Sequence, residues 1–108
     1  FQPHRYTRTR DLMNEFAASL ATADEVVLTA IYAASEEPIP GITTETLAAV
    51  VNQSRATPVH VVPRLDQVAA RVADLARAGD LVITLGAGSI GGLATALVQE
   101  LERRQERA

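Results

Sequence analysis

Apolar residues fall at two spacings along this chain, and the alternation between them lays out its elements. Leu12, Phe16 and Leu20 recur every four residues, with Met13 and Ala17 beside them, so one apolar stripe marks a helix. Thr7 or Thr9 is positioned to cap it, Asp11 falls in its first turn, and it is expected to run to about Ala21. The run EVVLTAI (25–31) is continuous, apolar and β-branched, the pattern of a strand buried on both faces. YAASEEPIPG (32–41) is broken by two prolines and a glycine and reads as a loop. A second helix opens at Thr43, where Ile42 and Leu47 have the spacing of a hydrophobic staple and Leu47, Val50 and Val51 face inward. PVHVV (58–62) is a second strand, ended by Pro63. A third helix follows, with Leu65, Val68, Val72 and Leu75 on one face, and Gly79 is placed as a helix C-terminal glycine. LVITL (81–85) is a third strand, and GAGSIGG (86–92) leads into a fourth helix carrying Ile90, Leu93, Leu97 and Leu101. The polar end ERRQERA (102–108) is expected to fray. Phe1 to Tyr6 is the tail of a further strand, where Pro3 fits.

Strand tail, helix, strand, helix, strand, helix, strand, helix implies an α/β domain: a mainly parallel sheet with helices on both faces. Ligands of such sheets bind beyond the carboxyl ends of the strands. Three segments lie on that edge, 1–8, 32–41 and 86–90, and a site is expected to be built from them. No internal repeat or linker is visible.

Composition narrows the function classes. The chain has 108 residues and 47% hydrophobic content, enough for one core, but only 4% aromatics, so the core is aliphatic. The net charge of -3 argues against a nucleic-acid or anionic-membrane surface, and no apolar run approaches the ~20 residues of a membrane span. All 10 basic residues are arginine, the side chain that grips carboxylate or phosphate with a two-pronged fork. There is no cysteine, which excludes disulfides and thiolate metal sites and leaves a reducing compartment unopposed. The chain begins at Phe1, not Met, and is read as a fragment of a larger enzyme.

Two stretches carry candidate chemistry. GAGSIG (86–91) matches G-x-G-x-x-G between a strand and a helix, so Gly86, Gly88 and Ser89 form a candidate ligand-edge turn. It sits on the last strand, and the remaining C-terminal residues, about 17, are mostly helical, leaving no second strand for a ribose-binding acid. A dinucleotide site and a tight packing turn both remain open. HRYTR (4–8) places Arg5 and Arg8 three apart at a loop-to-helix junction, on the same side of a first turn. Beside free backbone N–H groups they would clamp a carboxylate or phosphate; the alternative is a solvated surface with ion pairs to Asp11 or Glu15. His4 lines the same segment. His60 lies inside a strand and reads as structural, and the two histidines give no metal-ligand spacing. Glu36 and Glu37 read as a solvated acidic pair. There is no phosphate loop, nucleophile elbow or nucleophile–base pairing, so no catalytic or metal-binding residue is assigned.

FQPHRYTRTRDL (1–12) closely resembles the opening of the C-terminal domain of the Mur ligases, in the branch that handles L-alanine. YAASEEPIPG (32–41) resembles that branch's Y-P-A-G-E-x-P-I-P-G loop without a gap, and GAGSIG resembles its glycine turn near the C-terminus. Ala33 and Ser35 stand where the family has proline and glycine, which leaves the loop's shape open. The resemblance implies a Rossmann-like three-layer domain over 1–108, lacking its first strand, whose absence would leave a slot in the sheet and exposed edges. It also implies a cytoplasmic bacterial ATP-dependent ligase of peptidoglycan synthesis, joining L-alanine to UDP-N-acetylmuramate through an acyl phosphate. By that similarity Arg5 and Arg8 bind the L-alanine carboxylate, with His4 in the same pocket and Tyr32 on the adjoining loop. ATP and Mg2+ belong mainly to a central domain, and the UDP-sugar to an N-terminal domain; this chain alone is expected to be inactive. The alternatives are a ligase of the family adding a peptide to the same sugar, which the HRYTR segment disfavours, and a free-standing nucleotide-binding or regulatory module using GAGSIG.

Overall fold

The computed structural model describes residues 1–54 and 58–107. Five α-helices and two regular strands occur among them: α1 (Tyr6–Asp11), α2 (Met13–Leu20), β1 (Val26–Leu28), α3 (Thr44–Ser54), β2 (Val59–Val61), α4 (Val68–Leu75) and α5 (Leu93–Arg107). Short 3-10 turns, Leu65–Gln67 and Ser89–Gly92, lead into α4 and α5.

β1 and β2 are parallel, with Val26 opposite Val59, Val27 opposite His60 and Leu28 opposite Val61. Side chains alternate across a strand, and the two faces of β1 feed two cores. Val26 and Leu28 join Ala17, Leu47 and Val51 under α2 and α3. Val27 turns the other way, toward Val62, Val68, Ile90 and Leu93 under α4 and the start of α5. The result is the three-layer α/β arrangement that the alternating pattern predicts. Two helical pairs at i, i+4 do the covering: Leu47 and Val51 on α3, Leu93 and Leu97 on α5, all buried. Thr43 caps α3 as expected, its Oγ1 accepting the Thr46 N–H at 3.0 Å.

The regular sheet is extended by a segment that forms no ladder of its own. Phe1–Arg5 runs parallel to the continuation of β1: the Phe1 amine donates to the Val27 carbonyl at 2.7 Å, Thr29 N–H to Phe1 O at 3.2 Å and Tyr32 N–H to Pro3 O at 2.8 Å. A parallel bridge joins His4 to Tyr32. On the other side, Gln2 N–H donates to Leu85 O at 3.0 Å.

Four expectations are corrected. Leu81–Leu85 is not a strand: among the described residues only Leu85 bonds to a neighbouring strand, through its carbonyl to Gln2. Among the described residues, 81–84 find no strand partner; they and Val26 and Val27 of β1 line the same cleft of about 530 Å³, and Leu81 and Ile83 remain 84% and 63% exposed. The first helix is interrupted at Leu12 (φ -113°, ψ 16°), three residues after Thr9, whose hydroxyl bonds back to the Arg5 carbonyl and perturbs the regular ladder. Asp11 is therefore the last residue of α1, not in a first turn. Gly79 (φ 91°) does not terminate α4, which ends at Leu75. It serves a turn in which Asp80 N–H bonds to Arg77 O, while the Asp80 carboxylate accepts the Arg77 N–H. The polar C-terminus stays helical to Arg107, held where Arg104 reaches Asp74 (2.7 Å) and the Ala70 carbonyl on α4; Ala108 lies outside the described residues.

Two outcomes follow from this packing. Leu47→Ala empties a fully buried position and is expected to cost ~2–5 kcal/mol, read as a shift of the denaturation midpoint with little change in slope. The exposed apolar strip 81–85 beside this cleft is expected to drive association of the 108-residue chain in solution. Sedimentation velocity is expected to show concentration-dependent association that Ile83→Lys reduces; a strictly monomeric wild type would contradict this.

Candidate functional site

The three loops predicted to share the carboxyl edge of the sheet do meet there. The parallel alignment of Phe1–Arg5 with the continuation of β1 delivers His4 and Arg5 beside Tyr32. Arg5 N–H donates to the Tyr32 carbonyl at 2.7 Å. The His4 and Tyr32 rings stack, with centroids 5.6 Å apart and planes 15° from parallel. Gly88 lies under the Tyr32 ring: a Cβ there would come within 3.0 Å of the ring's Cδ1. Gly86 is equally constrained, because its Cβ would lie 2.8 Å from Ile90 Cγ2 and 3.0 Å from the Gln2 carbonyl.

The glycine turn is thus closed by the chain's own groups. The Gln2 amide accepts the Ile90 N–H at 3.1 Å through Oε1 and donates to Ser89 Oγ at 3.0 Å through Nε2. Gln2 is 5% exposed, a buried polar side chain satisfied by the turn it braces. The backbone donor that a phosphate would use at Ile90 is occupied, and the face of Gly88 is covered by an aromatic ring. Of the two readings of GAGSIG, the packing turn fits this geometry. Gly86, Gly88 and Ser89 lie on the edge, against Ile90, Tyr32 and Gln2.

Arg5 stands at the N-cap of α1 and Arg8 in its first turn. Both are exposed and neither guanidinium enters an ion pair among the described residues. Of the partners that a solvated surface would offer, Asp11 pairs with Arg10 at 2.8 Å, and Glu15 enters no ion pair among the described residues. Arg5 also has φ 70° and ψ 144°, a conformation costing a non-glycine residue on the order of 1–3 kcal/mol. The strain is held in place by the Tyr32 carbonyl on one side, and on the other by Thr9, whose N–H and hydroxyl bond to the Arg5 carbonyl at 3.2 and 2.7 Å.

The residue whose role differs most from the sequence expectation is Glu36. One carboxylate oxygen accepts the Tyr6 N–H at 2.6 Å and the Thr7 N–H at 3.2 Å, and the other accepts the Thr7 hydroxyl at 2.5 Å. The hydroxyl of Thr7, then the N–H groups of Thr7 and Tyr6 and the charge of Arg5, hold the Glu36 carboxyl below its ordinary range. Neither Thr7 nor Thr9 caps α1. The cap is an acid 30 residues away in sequence, and Glu36 and Glu37 do not act as a solvated pair. The expectation of free backbone N–H groups beside the arginines is corrected accordingly: those of Tyr6 and Thr7 already hold an anion. The signal lay in the loop pattern, where the family motif has its acid at the position of Glu36.

Ser35 (φ 71°) and Ala34 (φ 51°) shape the loop that carries Glu36. Ser35 adopts the left-handed backbone that glycine takes without cost, so the loop turns there despite the substitution. Next to it, a hollow of about 170 Å³ opens at the carboxyl ends of β1 and β2, bordered by Tyr6, Ile31, Ile42, Thr43 and Pro63. His60 is remote from the edge, bonded to Glu25 at 3.1 Å, in keeping with a structural role. Among the described residues, no three His, Cys, Asp or Glu side chains gather as a metal site, and no helix is long and apolar enough to cross a membrane.

This chain is similar to known proteins along almost all its length. The family model for the Mur ligase glutamate ligase domain matches residues 2–88. The UDP-N-acetylmuramate--L-alanine ligase of Anaeromyxobacter dehalogenans (strain 2CP-C) is 52% identical over 103 residues, 95% of this chain and 22% of that protein. The proteins of the same name from Burkholderia thailandensis and Acidobacterium capsulatum are each 45% identical over 104 residues, covering 96% of this chain and again 22% of the relative. This chain therefore spans 22% of the length of the curated relatives it matches. On these matches and on its three-layer fold, the chain belongs to the Mur ligase C-terminal domain family.

Proposed function

We propose that the chain is the amino-acid-positioning domain of a cytoplasmic bacterial ligase that joins L-alanine to UDP-N-acetylmuramate at the expense of ATP, in peptidoglycan synthesis. The observation that carries this reading is identity of 45–52% to ligases of that name across 95% or more of the chain. The edge geometry supplies the chemistry. L-Alanine presents a carboxylate and an amine on one carbon. Arg5 and Arg8 are exposed and, among the described residues, free of ion pairs beside the capped head of α1, and hold the carboxylate in a forked, charge-assisted contact. His4, stacked on Tyr32, walls the same side. With the carboxylate fixed, the amine is directed at an activated carbonyl of the UDP-sugar, an acyl phosphate, supplied from the rest of the enzyme. Holding the two reactants in line replaces a bimolecular encounter by an oriented one, and much of the acceleration comes from that. No residue of this chain is assigned a bond-making role.

ATP and Mg2+ fit poorly on this chain. Its one glycine-rich turn spends the Ile90 N–H on Gln2 and its Gly88 face on Tyr32, and it has no phosphate-loop sequence. Both belong with a central domain and the UDP-sugar with an N-terminal domain. The same closure of the turn argues against a free-standing nucleotide-binding module.

The test uses the full-length enzyme. Phosphate release from ATP in the presence of UDP-N-acetylmuramate is expected to depend on added L-alanine. Arg5→Ala is expected to raise the apparent KM for L-alanine about 10- to 100-fold, the loss of charged hydrogen bonds of ~1.5–3 kcal/mol, with the KM for ATP unchanged. Arg8→Ala is expected to act in the same direction. Release indifferent to L-alanine would refute the ligase assignment; dependence with both arginine variants unaffected would keep the ligase and remove the clamp.

A further inference from the structure

The contact between the 32–41 loop and α1 is unlike an ordinary loop closure. A six-residue helix is too short to be stable by itself, and α1 has neither an acidic residue in its first turn nor a capping side chain of its own. Three donors at its head are satisfied by a single acid, Glu36, from the opposite loop. Immediately before that head lies Arg5, in a strained conformation and with no ion pair among the described residues. Immediately after it lies Arg8. Both arginines project from the one turn whose orientation Glu36 fixes.

We propose that Glu36 is a positioning residue for the amino-acid carboxylate: by binding Tyr6, Thr7 and the Thr7 hydroxyl it sets the first turn of α1, and thereby the separation and aim of Arg5 and Arg8. The inference rests on the carboxylate clamp of the preceding section and adds a residue to it. Two further observations support it. The Glu36 oxygens are occupied by backbone and hydroxyl donors, so the acid is close enough to feel Arg5 electrostatically yet does not neutralise it in an ion pair. And the chain tolerates left-handed backbone at both Ala34 and Ser35 to bring this acid to the helix. As an acid whose pKa is lowered by these bonds, Glu36 contributes its support above the ordinary glutamate range and loses it as pH falls through its lowered value, so the anchor is intact at neutral pH.

The experiment compares L-alanine with L-alaninamide, which lacks the carboxylate, as acceptors for full-length wild type, Glu36→Gln and Arg5→Ala. The readout is the ratio of kcat/KM for the two. A purely structural role would lower both acceptors alike. Glu36→Gln keeps the size of the side chain and removes its charge, and is expected to cut the preference for L-alanine at least about fivefold, mainly through KM for L-alanine, with KM for ATP nearly unchanged and only a modest fall in the melting temperature. Thr7→Val, which removes only the hydroxyl donor, is expected to move the ratio the same way by less, and serves in place of Glu36→Gln should that variant fold poorly. An unchanged ratio in Glu36→Gln and Thr7→Val, alongside a collapsed ratio in Arg5→Ala, would overturn the role of Glu36 and leave the clamp standing. An unchanged ratio in Arg5→Ala would remove the clamp itself, and Glu36 with it.

Discussion

The geometry of this domain depends on one backbone alignment, the parallel run of Phe1–Arg5 along the continuation of β1. Its hydrogen bonds to Val27, Thr29 and Tyr32 fix where the chain leaves the sheet. Arg5 is then placed against the Tyr32 carbonyl, and α1 must start at Tyr6. Gln2, in the same run, turns its side chain into the glycine turn and its N–H to Leu85, which ties the third loop to the first. A shift of this segment by one residue would turn Gln2 and His4 to the opposite face, and the glycine turn, the His4–Tyr32 stack and the head of α1 would be lost together.

The fold is legible in the sequence wherever burial is two-sided or strictly periodic. β1 and β2 announce themselves as β-branched runs, and α3 by a threonine cap followed by Leu47 and Val51 at i, i+4. The candidate edge is legible too, because alternation of strands and helices assigns every odd loop to one end of the sheet. Where the reading failed, the deciding partner was distant in sequence or not among the strands described. LVITL has the composition of a strand, but composition supplies no hydrogen-bonding neighbour, and without one along 81–84 the segment stays irregular and exposed. The polar end of α5 looks frayed until Arg104 is seen against Asp74, 30 residues earlier.

The cap of α1 shows the same limit more sharply. Local reasoning looks for a threonine or serine at the helix start and finds two. In the fold, Thr7 donates its hydroxyl to the acid that does the capping, and Thr9 bonds back to the Arg5 carbonyl. Neither use can be read from spacing. What could be read was a glutamate in a proline-broken loop on the correct edge of the sheet, a position where an acid has backbone donors within reach.

Satisfying the helix head from within has a consequence for recognition. An open N-terminus would attract any small anion through its N–H groups and dipole, phosphate and carboxylate alike. With the Tyr6 and Thr7 N–H groups held by Glu36, that general attraction is cancelled at short range, and what faces solvent is a pair of guanidinium groups on a turn of fixed orientation. In the proposed clamp, such a pair would discriminate by geometry, two forks suiting a planar carboxylate with the His4–Tyr32 stack beside it. The strained Arg5 backbone fits this account: it is maintained by Tyr32, Thr9 and the Glu36-capped turn together, so the cost of that backbone conformation is met by the fold before any ligand arrives. Under the proposed function, pre-organisation of this kind is what a domain that positions the amino acid would supply.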